Sequence, residues 1–205
     1  MQQRPLPPKG KERVKIKNVM AKSLFFQPFS IDRLSGFSVD VSNPYQARIR
    51  INYCNVKFSI LQSGTVIARA ASSFDQLQEA FDWLRLYTQT SFKLQLSPSY
   101  QISNIVAVAS VSQSKLNLIE LAPLLPHSSY DPSLAEESDH FFYSVLHSFN
   151  SNLELKPHRT ALIFRSGNAI LTGFFSFYDL LARASQLSSL IAQIAEDHPT
   201  VLVGV

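Results

Sequence analysis

The sequence predicts an α+β fold made of two copies of one structural unit, in which helices cover one face of a β-sheet. Three observations predict it: a pattern that occurs twice, strands whose side chains alternate in polarity, and one long amphipathic helix near the end of each copy. Alternation is typical of strands and a 3.6-residue period is typical of helices, so both can be recognised along the chain. Because each copy has a single long helix, we expect the other sheet face to be left for a partner.

The internal repeat rests on matching segments. "KNVMA" at 17–21 matches "SNIVA" at 103–107, an offset of 86 residues. "ILQSG" at 60–64 matches "IFRSG" at 163–167, an offset of 103, and the long helices that follow keep this second offset. The increase predicts about 17 extra residues in the second copy, which we expect within "EESDHFFYSVLHSFNSNLEL". The predicted organisation is a flexible N-terminal tail (1–12), a first repeat (13–98) and a second repeat with the insertion (99–205).

The individual elements follow from the same patterns. Strands are predicted from Arg13 onward and within 46–73, 99–112 and 160–173. Helices are predicted at 29–37, 73–92, 117–125 and 176–198. The second of these helices has a clear start, since Ser73 fits an N-cap with Gln76 three residues later.

Composition excludes several classes of protein. Hydrophobic residues make up 45% of the chain, with 15 Phe, which is enough for a packed core. No uncharged apolar run reaches about 18 residues, so no membrane-spanning helix is predicted, and the N-terminus lacks the apolar segment of a secretory signal. Cys54 is the single cysteine, which excludes an intramolecular disulfide and a cysteine-based zinc site. We interpret it as a small strand residue in a protein of a reducing, intracellular compartment.

The sequence shows no recognisable catalytic or metal-binding motif. We find no nucleophile motif, phosphate-binding loop or dinucleotide fingerprint. We interpret His140 and His147 as surface loop residues. Metal-ligand spacing is missing from all five histidines, which are His127, His140, His147, His158 and His198.

The positive net charge of +4 is unevenly distributed along the chain. Residues 1–22 contain seven Lys or Arg and one acid, whereas the remaining residues contain 12 Lys or Arg and 14 acids. The body of the protein is therefore nearly neutral. A protein that binds DNA mainly by neutralising phosphates is expected to have a basic body, so this distribution argues against that mode of binding.

Several segments of the second copy together resemble a known family. They are "ISNIVAVASV", "NLIELAPLL", "SSYDP" and "KPHRTALIFRSGNAILTG", followed by a helix that begins with Ser. This combination resembles the C-terminal half of the TATA-box-binding protein (TBP), and it recurs in weaker form in the first copy. The resemblance covers roughly residues 13–195.

The resemblance implies a specific fold and activity. The fold is the TBP saddle, in which two pseudo-symmetric repeats form a curved antiparallel sheet with helices on the convex face. The activity is binding of the DNA minor groove, with Phe wedges that unstack base steps and kink the duplex, as is established for TBP itself. The resemblance implies no catalysis, no cofactor and no metal.

By position, the resemblance assigns twelve residues to DNA contacts. Asn18 and Asn104 match the asparagines that read minor-groove acceptors, and Phe164 matches a wedge. In the first repeat, Leu61 stands where a wedge phenylalanine is expected, and Arg69 replaces a threonine. The full set is Asn18, Met20, Arg50, Leu61, Ile67 and Arg69 in the first repeat, and Asn104, Val106, Leu162, Phe164, Ile170 and Thr172 in the second.

Other positions depart from the family pattern. The second wedge of each repeat is lost or hidden, because Pro44 stands there in the first repeat and the insertion obscures it in the second. Candidates for the hidden wedge are Ser138, Phe141 and Phe142. Lysines expected at the edge of the groove are replaced by Asn55, Thr65 and Asn168.

These departures predict a divergent TBP-related factor with reduced or altered TATA specificity, similar to the trypanosomatid type. Unstacking a base step costs a few kcal/mol, and wedges and phosphate contacts offset this cost. Because this chain has fewer of both, the cost is offset less well. Arg69 has two interpretations: it lies on the groove floor and disturbs a narrow A·T groove, or it is a solvated residue at a sheet edge.

The resemblance also implies protein partners and a nuclear location. The loop at 41–45 resembles the segment bound by transcription factor IIA. On the first long helix Asp75, Glu79 and Asp82 outnumber Arg85, so contacts of other promoter-complex subunits there should differ. The loop bound by transcription factor IIB corresponds to Tyr130, Asp131 and Pro132, followed by Glu136 and Glu137, which suit a basic partner. Whether the free protein forms a homodimer is left open, and no membrane partner is expected.

Two other classes of function stay open from the sequence. The TBP-like fold could act as a protein-interaction adaptor in a promoter complex without contacting DNA itself, which the nearly neutral body favours. A repair enzyme with a TBP-like half would need a catalytic domain, for which no residues are left over.

Overall fold

The computed structural model describes residues 14–26, 39–40, 48–130, 144–149 and 159–203. The predicted tail and the predicted helix at 29–37 lie outside these residues. So do 41–45, Pro44 and the three candidates for the hidden wedge.

Ten strands and three α-helices lie within the described residues. The strands are β1 (Val14–Leu24), β2 (Val39–Asp40), β3 (Arg48–Tyr53), β4 (Val56–Leu61), β5 (Thr65–Ala71), β6 (Gln101–Ser110), β7 (Ser128–Ser129), β8 (Ser144–Ser148), β9 (Thr160–Phe164) and β10 (Asn168–Phe174). The helices are α1 (Phe74–Phe92), α2 (Leu118–Leu124) and α3 (Phe177–Asp197), and a 3-10 turn follows at Pro199–Val201.

The strands are hydrogen-bonded in the same order in both halves of the sequence. In the first half the order is β2-β3-β4-β5-β1, and in the second it is β7-β8-β9-β10-β6. The first strand of each half thus lies beside the last. Neighbouring strands β3, β4 and β5 are antiparallel, as are β7, β8 and β9.

Strand register locates the extra residues of the second repeat. Arg50 pairs with Ser59 on β3 and β4, and Leu146 pairs with Leu162 on β8 and β9. From Ser59 to Leu162 the offset is 103, whereas from Arg50 to Leu146 it is 96. The added residues therefore divide between the chain before β8 and the chain between β8 and β9. The strand β8 itself lies inside the segment in which we expected the insertion.

The chain forms two compact units. One contains the described residues of 16–106 and 172–179, and its core includes Phe58 and Phe81, whose rings meet edge to face at 5.4 Å. The other contains the described residues of 14–15, 107–171 and 180–203, with a core of fully or almost fully buried aliphatic side chains. Burial of each such side chain contributes about 1.5–3 kcal/mol. Representative core residues of this second unit are Leu121, Ile163, Leu171, Leu187 and Ile191.

Helix α1 begins where the sequence predicts. The Ser73 hydroxyl accepts a hydrogen bond from the Gln76 backbone N–H at 3.1 Å, which confirms the predicted N-cap. The helix ends at Lys93, whose φ of 56° is left-handed and whose N–H donates to the Gln89 carbonyl. On its outer side Trp83 stacks on Tyr53 at 4.5 Å, which holds the end of the β3–β4 hairpin against the helix.

Two interpretations of single residues were wrong. Cys54 does not lie in a strand but in the turn between β3 and β4, where it has a φ of 45° and is exposed.

His147 is not a surface loop residue, because it is only 6% exposed on β8. Its Nδ1 lies 2.9 Å from the Pro126 carbonyl oxygen, so this nitrogen is the one that carries the proton. Burial lowers the pKa of His147, partly offset by that hydrogen bond, and neighbouring His127 lowers it further.

Candidate nucleic-acid interface

The twelve residues assigned to DNA contacts lie on the side of their strands that faces away from the core. None of the twelve side chains is buried, and each has at least one buried neighbour along its strand. Successive side chains of a strand point to opposite faces, which explains this alternation. We call the side of the strands that carries these twelve residues the strand face, and we describe it separately for each repeat.

In the first repeat the strand face is defined by register across four strands. Arg50 on β3 is opposite Ser59 on β4, Ser59 is opposite Ile67 on β5, and Ile67 is opposite Lys22 on β1. In the neighbouring row Lys57 is opposite Arg69. Polar and cationic side chains therefore predominate in these two rows, with Ile67 as the apolar member.

Arg69 is fixed on this face by a hydrogen bond. Its Nη2 donates to the Ser59 hydroxyl at 2.9 Å, and Ser59 is only 2% exposed beneath it. Its strand β5 lies between β4 and β1. The alternative that Arg69 is a solvated residue at a sheet edge is therefore wrong.

In the second repeat the strand face is apolar around the predicted wedge. Phe164 on β9 is opposite Ser144 on β8, and Leu162 is opposite Leu146. Leu146 is 42% exposed, which is high for a leucine in a strand. Phe164 and Leu61 occupy equivalent turns, because the carbonyl of each accepts from a glycine N–H three residues later, at 3.0 Å and 2.9 Å.

The two asparagines make the same hydrogen bond in both repeats. Asn18 Oδ1 accepts from the Ala70 N–H at 2.8 Å, and Asn104 Oδ1 accepts from the Gly173 N–H at 2.9 Å. Both donors have a left-handed backbone, with φ of 68° at Ala70 and 88° at Gly173. Because a backbone N–H can only donate, Oδ1 must face it, and Nδ2 is left as the donor of each amide. Asn104 Nδ2 also lies 3.4 Å from the Thr172 hydroxyl.

Comparison with known proteins identifies the fold. No family model and no curated protein matches the chain. Among solved structures, the TBP of Methanococcus jannaschii matches with a TM-score of 0.70 and 20% sequence identity. The match covers 88% of this chain and 99% of that one. The chain has the TBP fold. The α+β fold class that the sequence predicts is thus confirmed.

Within the TBP fold, the strand face also carries residues that the sequence assignment did not include, among them Lys22, Lys57, Ser59 and Leu146. Lys22 follows Met20 by two positions, and Lys57 and Ser59 precede Leu61 at the same spacing, so strand alternation alone would have found them. Leu146 could not be found in this way, since the insertion hides the register of β8. Each of these four residues is paired, on a neighbouring strand, with one of the twelve assigned residues.

Charge is segregated between the elements of this TBP fold. Strands β1, β3, β4 and β5 contain no Asp or Glu, and β6 to β10 contain no Lys, Arg, Asp or Glu. In the described part of the chain, the acids apart from Asp40 all lie on helices. A nearly neutral body is therefore compatible with a cationic strand face in the first repeat, and it does not argue against phosphate contacts there.

Residues assigned to protein partners are only partly described. Tyr130 is half-buried directly after β7, whereas Asp131, Pro132, Glu136 and Glu137 lie outside the described residues. On α1, Glu79 accepts from the Tyr53 hydroxyl at 3.3 Å.

Two further findings concern other kinds of site. Within the ranges that the structure describes, no three His, Cys, Asp or Glu side chains are grouped so that they could hold a metal ion. No helix among those residues is long and apolar enough to cross a membrane.

Proposed function

We propose that the protein is a TBP-related transcription initiation factor that binds double-stranded promoter DNA in the minor groove through its strand face. The observation that carries the proposal is the repeated fixing of Asn18 and Asn104. In both repeats the carboxamide oxygen is held by the backbone, which leaves Nδ2 as the donor of each amide, and the Asn104 Nδ2 also donates to the Thr172 hydroxyl at 3.4 Å.

Amide donors suit the minor groove of A·T pairs. Those pairs present only acceptors there, adenine N3 and thymine O2, while G·C pairs add the guanine amino donor. A fixed Nδ2 can therefore donate a hydrogen bond to an A·T pair, whereas at a G·C pair it would meet the guanine amino group, which is also a donor. Met20, Val106, Ile67 and Ile170 lie half-buried on the same face and would contact the sugar and base edges beside the amides.

The same face supports a reduced or altered TATA specificity. Phe164 supplies a wedge in the second repeat, but the equivalent Leu61 has less apolar area and no aromatic ring. Arg69 stands where Thr172 stands in the second repeat, so the groove floor differs between the repeats. In the first repeat, the free-energy cost of kinking the DNA is therefore offset less well by inserted side chains.

We also propose that the protein acts in the nucleus with partners similar to transcription factors IIA and IIB and with other promoter-complex subunits. The TBP fold and the retained loop sequence around Tyr130 support this. The departures in the first repeat support placement near the trypanosomatid type of TBP-related factor. A non-enzymatic role is consistent with a strand face built of amides, aliphatic groups and cations.

Fluorescence anisotropy with a TATA duplex and a scrambled duplex tests the proposal, with and without transcription factors IIA and IIB. We expect weak binding by the protein alone and tighter binding with the factors. Nanomolar, TATA-specific binding by the protein alone would contradict reduced specificity. No binding even with both factors would contradict DNA contact and support an adaptor.

A further inference from the structure

Aromatic side chains cluster at the starts of α1 and α3. Phe74 and Phe177, which are equivalent in the two repeats, meet edge to face with their ring centroids 5.9 Å apart. Phe175 and Tyr178 stand beside Phe177 in the chain and are 45% and 68% exposed. We call Phe74, Phe175, Phe177 and Tyr178 the aromatic patch, and all four belong to the same compact unit.

The starts of the helices do not require this exposure. An acid in the first turn stabilises a helix N-terminus, and Asp75 and Asp179 are placed there. At the positions equivalent to Phe175 and Tyr178, the first repeat has Ser72 and Asp75. The connection from strand to helix can therefore be made without exposed rings, and the second repeat carries them for another reason.

The size of the patch suits a short peptide. At about 200 Å² for a fully exposed aromatic side chain, Phe175 and Tyr178 together expose about 230 Å². A stable dimer needs about 800 Å² from each partner. The patch is therefore too small to hold a second copy of the chain by itself.

The surroundings of the patch define the charge of its ligand. Residues 72–84 and 172–179 contain four acids and no Lys or Arg. Exposed aromatic rings bind proline-rich segments, whose polyproline II conformation is already formed and loses little entropy on binding. A cation beside the prolines can also pack on a ring face. The chemistry of the patch thus fits a proline-rich segment flanked by Lys or Arg.

We propose that residues 4–9 of this chain, "RPLPPK", dock on the aromatic patch. They precede the described residues and contain a P-x-x-P pattern from Pro5 to Pro8, with Arg4 on one side and Lys9 on the other. The predicted tail therefore has a binding site on the protein itself. This inference goes beyond the function proposed above and does not depend on DNA binding.

The tail can reach the patch from β1. Val19 on β1 pairs with Ala71 on the antiparallel strand β5, so β5 leads into α1 on the side from which β1 arrives. Ile16 and Phe74 are each three residues beyond this pair in that direction, which places their Cα atoms at most about 27 Å apart. The ten residues from Ile16 to Leu6 span up to about 33 Å when extended.

Cys54 makes the docking measurable in the full chain. It is the single cysteine and is exposed. Its carbonyl oxygen accepts from the Gln76 Nε2 at 2.6 Å, so it lies beside the first turn of α1. A nitroxide attached to Cys54 therefore weakens the NMR signals of any tail amide that docks at the patch. The readout is the Leu6 amide signal before and after chemical reduction of the nitroxide.

We expect the signal loss at Leu6 to be about twofold greater in the wild type than in Phe175→Ser/Tyr178→Ser, because a short tether gives a mM effective concentration that fills a mM site about half of the time. Both substituted side chains are exposed, so the fold should be kept. Pro5→Ser/Pro8→Ser, which leaves the described residues untouched, should lower the signal loss equally.

The control is Leu86→Ser, which should keep the wild-type signal loss. Leu86 is 67% exposed on α1 and lies about three helical turns from Phe74. An equal signal loss in the wild type, the patch variant and the proline variant would overturn the proposal, since the tail would then pass near Cys54 without contacting the patch.

A mixed sample distinguishes docking within one chain from docking between chains. It combines isotope-labelled Cys54→Ser, which carries no nitroxide, with unlabelled chain that carries the nitroxide. We expect the Leu6 signal to be retained there. A loss as large as in the singly prepared wild type would overturn docking within one chain and assign the tail to the patch of a second copy.

Discussion

The carboxamide oxygen of Asn104 accepts a hydrogen bond from the Gly173 N–H at 2.9 Å, and this bond separates the structural role of Asn104 from its proposed role in DNA binding. The oxygen satisfies a backbone donor at a left-handed residue. The nitrogen donates to the Thr172 hydroxyl at 3.4 Å and has a second N–H, which we propose donates to DNA. A substitution that keeps the acceptor and removes the donor therefore tests the two roles independently.

We predict that Asn104→Asp leaves folding stability nearly unchanged and weakens DNA binding by about tenfold or more. The carboxylate still accepts from Gly173, but it repels the acceptors of the groove, and a good base contact is worth about 1–3 kcal/mol. Urea unfolding and anisotropy with an A·T duplex measure the two effects. Gln89→Glu, on the exposed side of α1, controls for the added negative charge.

Asn104→Ala should behave differently from Asn104→Asp. It leaves the Gly173 N–H without its acceptor, which costs about 1–3 kcal/mol of folding stability. If Asn104→Asp destabilises the protein as much as Asn104→Ala does, the hydrogen bond to Gly173 is not what holds this side chain.

The donors of the two asparagine bonds predict opposite effects of exchanging Ala and Gly. Gly173, with φ of 88°, should not tolerate a Cβ well, so Gly173→Ala is expected to destabilise the fold by about 1–2 kcal/mol. Ala70 already has φ of 68°, so Ala70→Gly removes strain that exceeds the added chain entropy of about 0.5–1 kcal/mol. A small gain in stability should follow. Urea unfolding midpoints measure both, and a loss of stability in Ala70→Gly would show that strain is not the dominant effect.

His147 predicts a pH dependence of folding stability. Burial lowers the pKa of His147 below its ordinary value of 6.5, so the unfolded chain binds the proton more readily than the folded one. The stabilisation is complete above the unfolded pKa and is lost as pH falls through that value toward the lower folded pKa. We expect the unfolding free energy to decrease between pH 7.5 and about pH 5, and to decrease less in His147→Gln.

Two measurements check this expectation. Proton NMR of the His147 ring gives its folded pKa directly, and urea unfolding at each pH gives the free energy. His198, which is exposed after α3, supplies the control as His198→Gln, which should keep the full pH dependence. A pH dependence that is the same in wild type and His147→Gln would assign it to other groups.

Most of the fold could be predicted because its elements are long enough to show a period. Helix α1 and the hairpin of β9 and β10 repeat their pattern over several turns or alternations. The two-residue strands β2 and β7 carry no period and were not predicted. Strand β8 was hidden because the sequence offset changes on both sides of it, and His147 was misinterpreted for the same reason.

The candidate site could be predicted only where the family pattern or the repeat pointed to a residue. Asn18, Asn104 and Phe164 were found in this way, and their function stays a prediction. Lys22 and Lys57 were missed because lysines were expected at the edge of the groove, at positions such as Asn55. Net charge gave no help, because a sum over the sequence does not separate the acids of the helices from the cations of the strands.

The equivalent positions of Leu61 and Phe164 predict unequal bending of DNA. The same turn hydrogen bond follows each residue, so the two side chains can be compared at matched backbone positions. Phe164→Ala should greatly reduce bending, because an inserted side chain kinks a duplex by 20–90° in proteins of this mode, whereas Leu61→Ala should change it little. Leu61→Phe, which copies the second repeat, should increase bending. FRET between dyes at the duplex ends measures the angle at saturating protein, so differences in affinity do not enter. Equal losses in Leu61→Ala and Phe164→Ala would mean that both residues insert equally, which would contradict the weaker wedge proposed for Leu61.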